Sequence, residues 1–441
     1  RRERLIGASE HFDFVELEGD RDLTSSLLDR IPPEKRIVSC HAPAADRRVL
    51  QRRFSQLSAT PARYYRFSCP AECAAQAAVP LAFLKSLDRS DVIAYATGAA
   101  GAWTSVIAPA FGWPIVFGTV ADRADAHDGL SVARLVGDYG LPQLRTYREL
   151  YGIVGNPVSH SLSPRIHNAA YLATNQPAIF VPLLVEDFGQ FWQSFVTDGP
   201  LAELDLTVQG FTVASPHKES ASQFLADKSE TVQSARSSNL VHLRNGKWRT
   251  DTTDPHGVLL NLRAHSIPLA GNTVAVVGCG GSGRAIAAAL SRAGSAVTMF
   301  NRNPERGRRA MQLLGVPFVP LSKFRADAFS VVVNATPVGR DGHSCPFEPN
   351  RLRDGTVVID HVYASQVTPL VEFARARGLT TIDGRDILCT QAARQFQCMT
   401  GQPMPPGLVE ELSCLPGTHA IASHNNHSSP TMPDQQCLSE S

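Results

Sequence analysis

The six residues Gly278-Cys279-Gly280-Gly281-Ser282-Gly283 place glycine at the first, third and sixth positions of a short turn. That spacing suits phosphate binding. Small residues let backbone N–H groups approach a pyrophosphate closely, and the N-terminus of a following helix favours its charge. The pattern alone is weak, but it lies between a strand-like run at 273–277 and an alanine-rich helical run at 284–293, the context a dinucleotide site requires. A second strand-like run at 296–300 ends in Asn301-Arg302-Asn303. An enzyme that uses NAD carries an acid there for the ribose 2′-hydroxyl, whereas an arginine matches a 2′-phosphate. The expected cofactor is therefore NADP, held by Gly278, Gly280, Gly281, Ser282, Gly283, Asn301 and Arg302.

Positioning such a loop takes a βαβ unit, and the chain alternates strand and helix patterns throughout, which implies an α/β fold with parallel pairing. Runs at 12–17, 36–39, 64–67, 92–95 and 115–117 read as buried strands of a first unit. Near 145–150 the pattern restarts with Tyr151-Gly-Ile-Val-Gly-Asn-Pro, a strand entering a Gly/Pro turn, which marks a domain boundary. Runs at 239–243 and 247–250 flank Asn245-Gly246, a strong hairpin signal. After Pro405 the chain thins into Ser, His, Asn and Pro, and 416–441 reads as a disordered tail.

A length of 441 residues predicts several domains, at about 100–200 residues each. With 42 basic and 41 acidic residues, no net field exists to attract nucleic acid or an anionic membrane, so a small-molecule substrate is expected. Nine cysteines are scattered without paired spacing, as in a reducing compartment. Cys69 and Cys73 lack the second pair or histidine cluster that would complete a zinc site, and no metal is expected. No apolar run approaches the roughly 20 residues of a membrane span and no secretory signal opens the chain, so the expected location is cytoplasmic. Residue 1 is not Met, and the sequence is expected to open inside a domain. Homo-oligomerisation is compatible with all of this.

Over 149–405 the chain resembles shikimate dehydrogenases. The resemblance is carried by Gly155-Asn-Pro-Val-Ser-His-Ser161-Leu-Ser163-Pro-Arg-Ile-His167, Gly210-Phe-Thr-Val-Ala-Ser-Pro-His-Lys218 and Thr252-Thr-Asp254-Pro-His-Gly257. It implies that Ser161 and Ser163 hold a substrate carboxylate, although Ser163-Pro164 also fits an N-cap with Pro at N1. It implies Lys218 and Asp254 as the catalytic pair. Hydride reduction of a ketone leaves a growing alkoxide that needs a proton donor, and a carboxylate beside a lysine fixes its place and protonation. Asn239, Tyr363 and Gln391 match the family's other substrate residues, and Asn334 and Thr336 its segment beside the nicotinamide ribose. Four residues depart from the pattern: Thr212, Ala214, Thr252 and Asp386.

Residues 1–146 resemble the C-terminal portion of a type I 3-dehydroquinate dehydratase, a (β/α)8 barrel. Ile37-Val-Ser-Cys-His41 matches its histidine segment, Gly98-Ala-Ala-Gly101-Ala-Trp-Thr-Ser105 a glycine motif, and Ala124-Asp-Ala-His-Asp-Gly129 its final loop. Arg66 stands where the family carries its Schiff-base lysine, and Ser105 and Gly129 replace an arginine and a glutamine. A guanidinium stays protonated and cannot form an imine. The expected organisation is an inactive partial barrel at 1–146, a substrate lobe at 149–256, and an NADP-binding Rossmann lobe at 257–405 whose last helices return to the substrate lobe. The expected activity is reversible NADP-linked reduction of 3-dehydroshikimate to shikimate, in chorismate and aromatic amino acid biosynthesis. Two readings compete with it: a non-catalytic metabolite sensor of the quinate-repressor type, and a quinate/shikimate dehydrogenase.

Overall fold

The computed structural model describes residues 1–120, 130–364, 366–408 and 411. The motif at 124–129, including Gly129, and the tail at 416–441 lie outside them. Within the described residues the strands form three sheets, taken up one after another along the chain. In the first, β1 (Val15–Glu18), β2 (Arg36–His41), β3 (Tyr64–Pro70) and β4 (Val92–Thr97) pair in chain order, each parallel to the next. Helices Arg47–Leu57 and Ala74–Leu87 cross over between successive strands, so this unit winds in one direction as a segment of a barrel wall does. The strand expected from residue 12 begins only at Val15, because a helix, Arg2–His11, precedes it. Residues 115–117 form no strand, contrary to expectation. Pro114 immediately precedes the run and offers no ladder donor, and Phe117 packs its ring against the Arg66 guanidinium.

The second sheet holds β5 (Glu149–Gly155), β6 (Ala178–Leu184), β7 (Thr207–Val213), β8 (Asp227–Lys228), β9 (Leu240–Arg244) and β10 (Lys247–Asp251), in the order β6-β5-β7-β9-β10-β8. β9 and β10 pair antiparallel across the expected Asn-Gly turn, where Asn245 and Gly246 have φ of 51° and 73°. Two successive positive φ values are what a twisted hairpin turn demands.

The third sheet is wholly parallel: β11 (Thr273–Val277), β12 (Ala296–Asn301), β13 (Phe318–Pro320), β14 (Val331–Asn334), β15 (Val357–Asp360) and β16 (Thr381–Ile382). Their order, β13-β12-β11-β14-β15-β16, reverses direction beside β11, and ligands of such sheets bind in the crevice at that switch point. The helix after β11 runs Gly281–Arg292, so the last three residues of the glycine loop are its first turn. Helix Asp254–Ala264 spans the expected 256/257 boundary. The long helix Gly384–Thr400 returns to the second sheet, where Leu388, Phe396 and Met399 join Tyr151, Tyr171 and Phe180 in one apolar cluster.

The first two sheets share a core. Trp103, wholly buried, meets Phe195 edge-to-face at 5.8 Å, and the rim carries Lys85–Asp205 and Arg47–Glu203 ion pairs, each at 2.6 Å. No helix among the described residues is long and apolar enough to cross a membrane.

Candidate active site

Lys218 is the first residue of helix Lys218–Phe224, just beyond the end of β7, and Asp254 is the first residue of helix Asp254–Ala264, just beyond β10. Two strand ends of one sheet thus deliver a cation and an anion to the same place. Lys218 Nζ donates to Asp254 Oδ2 at 2.8 Å and Oδ1 at 3.0 Å, and to Ser282 Oγ at 2.9 Å. Asp254 is completely buried, and its Oδ1 also accepts from Asn239 Nδ2 at 2.9 Å and Gln391 Nε2 at 3.1 Å. Burial alone would raise the pKa of this carboxyl. The Lys218 cation, with His361 3.6 Å away, overrides that and holds it well below the usual carboxylate range.

Asn239 is held in turn. Its Oδ1 accepts from the Thr253 N–H at 2.7 Å and its Nδ2 donates to Thr253 Oγ1 at 3.0 Å, which fixes the amide orientation toward Asp254. Gln395 donates to Thr253 Oγ1 at 3.1 Å, and Gln391 Nε2 lies 3.1 Å from His361 Nε2. His361, Thr253 and Gln395 were not expected in the network, although Thr253 lies inside the quoted aspartate motif and the other two lie two residues before Tyr363 and four after Gln391. A histidine beside Asp360, or a glutamine one helical turn after Gln391, was the available signal.

Ser161 and Ser163 lie almost fully buried where the β5 loop enters helix Ser163–Ala173. The capping expectation is corrected in detail. Ser163 is already the first helical residue, Leu162 holds the cap position, and Ser161 Oγ accepts the Ser163 N–H at 3.1 Å. Tyr363, half-buried in the loop after β15, lies beside Ser161, which offsets part of the rise that burial imposes on its phenol pKa. Tyr363, two residues after His361, therefore sets the third sheet against the serine loop.

The glycine loop presses against the lysine. A Cβ on Gly281 would lie 2.3 Å from Ser237 Oγ and 3.3 Å from Lys218 Cβ, and one on Gly283 would lie 1.9 Å from the Gly278 carbonyl oxygen. Side chains there would push the loop off both neighbours. Gly278, with φ of 111°, abuts Thr336, whose hydroxyl and N–H both donate to Asn334 Oδ1. Asn334, itself fully buried, donates to Asp360 Oδ1 at 2.9 Å, so it shapes the segment from within. Asn301 Oδ1 accepts the Cys279 N–H at 3.2 Å, whereas Arg302 is exposed. Gly280 caps the following helix without a side-chain hydrogen bond, and a Cβ on it would meet nothing nearer than Arg306 Nη2 at 3.9 Å. Open backbone N–H groups at a helix start, with an exposed arginine one strand away, fit a phosphorylated dinucleotide.

Of the four departures, Thr212 and Thr252 keep buried hydroxyls without a hydrogen-bond partner among the described residues, and Ala214 packs against the apolar cluster behind the serine loop. Asp386 is a capping residue. Its Oδ2 accepts the Asp383 N–H at 2.9 Å while Asp383 Oδ1 accepts the Asp386 N–H at 3.1 Å.

In the first unit the polar residues bind one another. Arg66 Nη1 donates to Glu16 Oε1 at 2.8 Å and Oε2 at 2.9 Å, Nη2 donates to the Tyr95 hydroxyl, and the guanidinium lies 4.6 Å from the Phe117 ring centre. His41 Nδ1 is 2.7 Å from Ser68 Oγ, and Ser105 Oγ donates to the Ala102 carbonyl at 2.9 Å.

Comparison with known proteins matches residues 153–241 to the shikimate dehydrogenase substrate binding domain and residues 4–155 to type I 3-dehydroquinase. A shikimate dehydrogenase (NADP(+)) from Thermococcus kodakarensis is 35% identical over 266 residues, covering 59% of this chain and 94% of the relative. The chloroplastic bifunctional 3-dehydroquinate dehydratase/shikimate dehydrogenase of Arabidopsis thaliana is 27% identical over 336 residues. That match covers 71% of this chain but only 54% of the relative, so the chain spans about half its length. Among solved structures, shikimate 5-dehydrogenase from Thermus thermophilus, in complex with NADP(H) and shikimate, is 30% identical with a TM-score of 0.53, covering 60% of this chain and 98% of that one.

Proposed function

Since the chain belongs to the shikimate dehydrogenase family, we propose that it catalyses the reversible NADP-linked interconversion of 3-dehydroshikimate and shikimate, with Lys218 and Asp254 as the reacting pair. The observation that carries this reading is the contact of Lys218 Nζ with both oxygens of a wholly buried Asp254 and with Ser282 of the glycine loop. An ammonium group has three donors. Asp254 takes two, and the third points to the junction of the lobes, where a substrate oxygen replaces Ser282. When bound, NADPH supplies the hydride. Lys218 then gives its proton to the oxygen that gains charge, and the permanently ionised Asp254 keeps that proton donor in place.

Asn239 and Gln391 act on the same carboxylate from the side, while Ser161, Ser163 and Tyr363 form the polar wall that receives the ring acid's carboxylate. The pyrophosphate would rest on the N–H groups of Gly280 to Gly283 and the 2′-phosphate on Arg302. Asn334 and Thr336 shape the loop beside the nicotinamide. In this reading the units are 1–146, 149–256 and 257–405, with helix Asp254–Ala264 as the joint between the last two. The first unit carries no dehydratase chemistry, because Arg66 is bonded to Glu16 and Tyr95 and offers no neutral amine.

The test is NADP reduction with shikimate and, separately, with quinate. Rapid reduction with shikimate and slower reduction with quinate is the expected result. Thermal stabilisation by shikimate without any reduction would replace the enzyme by a metabolite sensor.

A further inference from the structure

We propose that Arg134, in the barrel-like first unit, is a positioning residue of the substrate site in the second: it holds the loop that carries Ser161 and Ser163. The inference rests on the functional reading above. Arg134 lies on helix Val132–Tyr139, whose N-cap Ser131 Oγ accepts the Arg134 N–H. Its guanidinium is nearly buried. Nε donates to Asp138 Oδ2 at 2.8 Å, one helical turn on, and Nη1 donates to the Ser159 carbonyl oxygen. Ser159 is two residues before Ser161, whose Oγ accepts the Ser163 N–H. The same helix also holds the residue just after the motif, because Asn168 Nδ2 donates to the Asp138 carbonyl at 3.0 Å and to the Phe180 carbonyl at 3.0 Å.

A buried arginine needs partners for its donors, and a buried carboxylate that fixes the fork makes the Nη1 donor directional. Asp138 therefore aims Arg134, and Arg134 fixes the carbonyl that precedes the serines. On the opposite side the loop meets the third sheet through Arg340 Nη1, 3.5 Å from His160 Nε2, with Tyr363 beside Ser161. The loop is thus strung between two units, and the first of them contributes position and no chemistry. Placement of substrate-binding groups affects a reaction even when the residue that enforces it touches nothing that reacts.

The experiment uses the full chain and four proteins: wild type, Arg134→Met, Arg134→Lys and Asp138→Asn. For each, kcat, KM for shikimate, KM for NADP and the thermal midpoint are measured, with shikimate binding followed by calorimetry. Arg134→Met is expected to raise KM and Kd for shikimate about tenfold, the loss of one charge-assisted hydrogen bond, with KM for NADP unchanged and kcat changed less than KM. Arg134→Lys recovers part of the loss, since a lysine reaches one of the two acceptors, and Asp138→Asn falls between it and Arg134→Met. An unchanged KM for shikimate in Arg134→Met overturns the inference. So does a parallel fall of kcat and of affinity for both ligands that tracks the thermal midpoint across the variants, since that is a folding effect alone. A wild-type chain that neither binds nor oxidises shikimate overturns the functional reading first, and this inference with it.

Discussion

The two parallel sheets at either end of the chain treat charge in opposite ways. In the first, both terminal nitrogens of Arg66 are taken by Glu16 and Tyr95, only its Nε lacking a partner among the described residues, and His41 is tied to Ser68, so the polar residues are struts of the wall. At the mouth of the third sheet the glycine loop offers uncapped backbone N–H groups, and its Ser282 meets a lysine delivered by another sheet. A charge whose partners lie within one sheet stabilises that sheet, while a charge shared between lobes is available to whatever enters between them.

That contrast is broken most severely at Lys218. Lys218→Met should lower kcat by about 10²–10⁴-fold, the usual worth of a placed proton donor, with NADP affinity nearly unchanged; steady-state kinetics and cofactor titration check both. A near-normal kcat would assign the proton to another group. Arg302→Ala should be smaller and selective, weakening NADP by about tenfold through a lost charged contact while leaving NAD alone. Equal loss for both cofactors would remove Arg302 from the phosphate site.

A third effect falls on stability. His167 is fully buried, stacked on Phe180 at 4.4 Å, and burial, only partly offset by Gln395, pushes its pKa down to about 3. The folded protein keeps this ring neutral, so the unfolded chain binds the extra proton first. Stability from the neutral ring is complete above about pH 6.5 and is lost as pH falls toward about 3, by at most about 1.4 kcal/mol per pH unit. Burial lowers the His242 pKa in the same sense. His167→Phe should flatten the acid limb of thermal midpoint against pH; an unchanged limb would place the titration elsewhere. The smallest expected effect is none. Arg66→Lys should yield no borohydride-trapped adduct with 3-dehydroquinate at residue 66, and a mass shift there would show that the first unit retains more of its chemistry than its packing suggests.

What could be read from the residues was mostly local. The run Thr273–Val277 followed by glycine and alanine determines a buried parallel strand and a helix N-terminus, and Asn245-Gly246 determines a hairpin, because each depends on neighbours in sequence. The misreadings share a physical cause. The run at 115–117 has strand-like residues, but Phe117 is drawn to Arg66 rather than to a partner strand. Ser163 looks like a cap, but the hydroxyl two residues earlier takes that bond. Asp386 departs from the family pattern, and its role is to complete a capping box with Asp383. Arg134 and His361 find their partners 25 and 107 residues away, at Ser159 and Asp254, and no local pattern announces such bonds.

The most direct test of the central claim offers the purified chain NADPH with 3-dehydroshikimate in one cuvette and with 3-dehydroquinate in another, and identifies the products. Chemistry confined to the cleft between the second and third sheets predicts NADPH consumption with shikimate formed in the first. No shikimate forms in the second. Silence in the first, or shikimate in the second, would contradict the account.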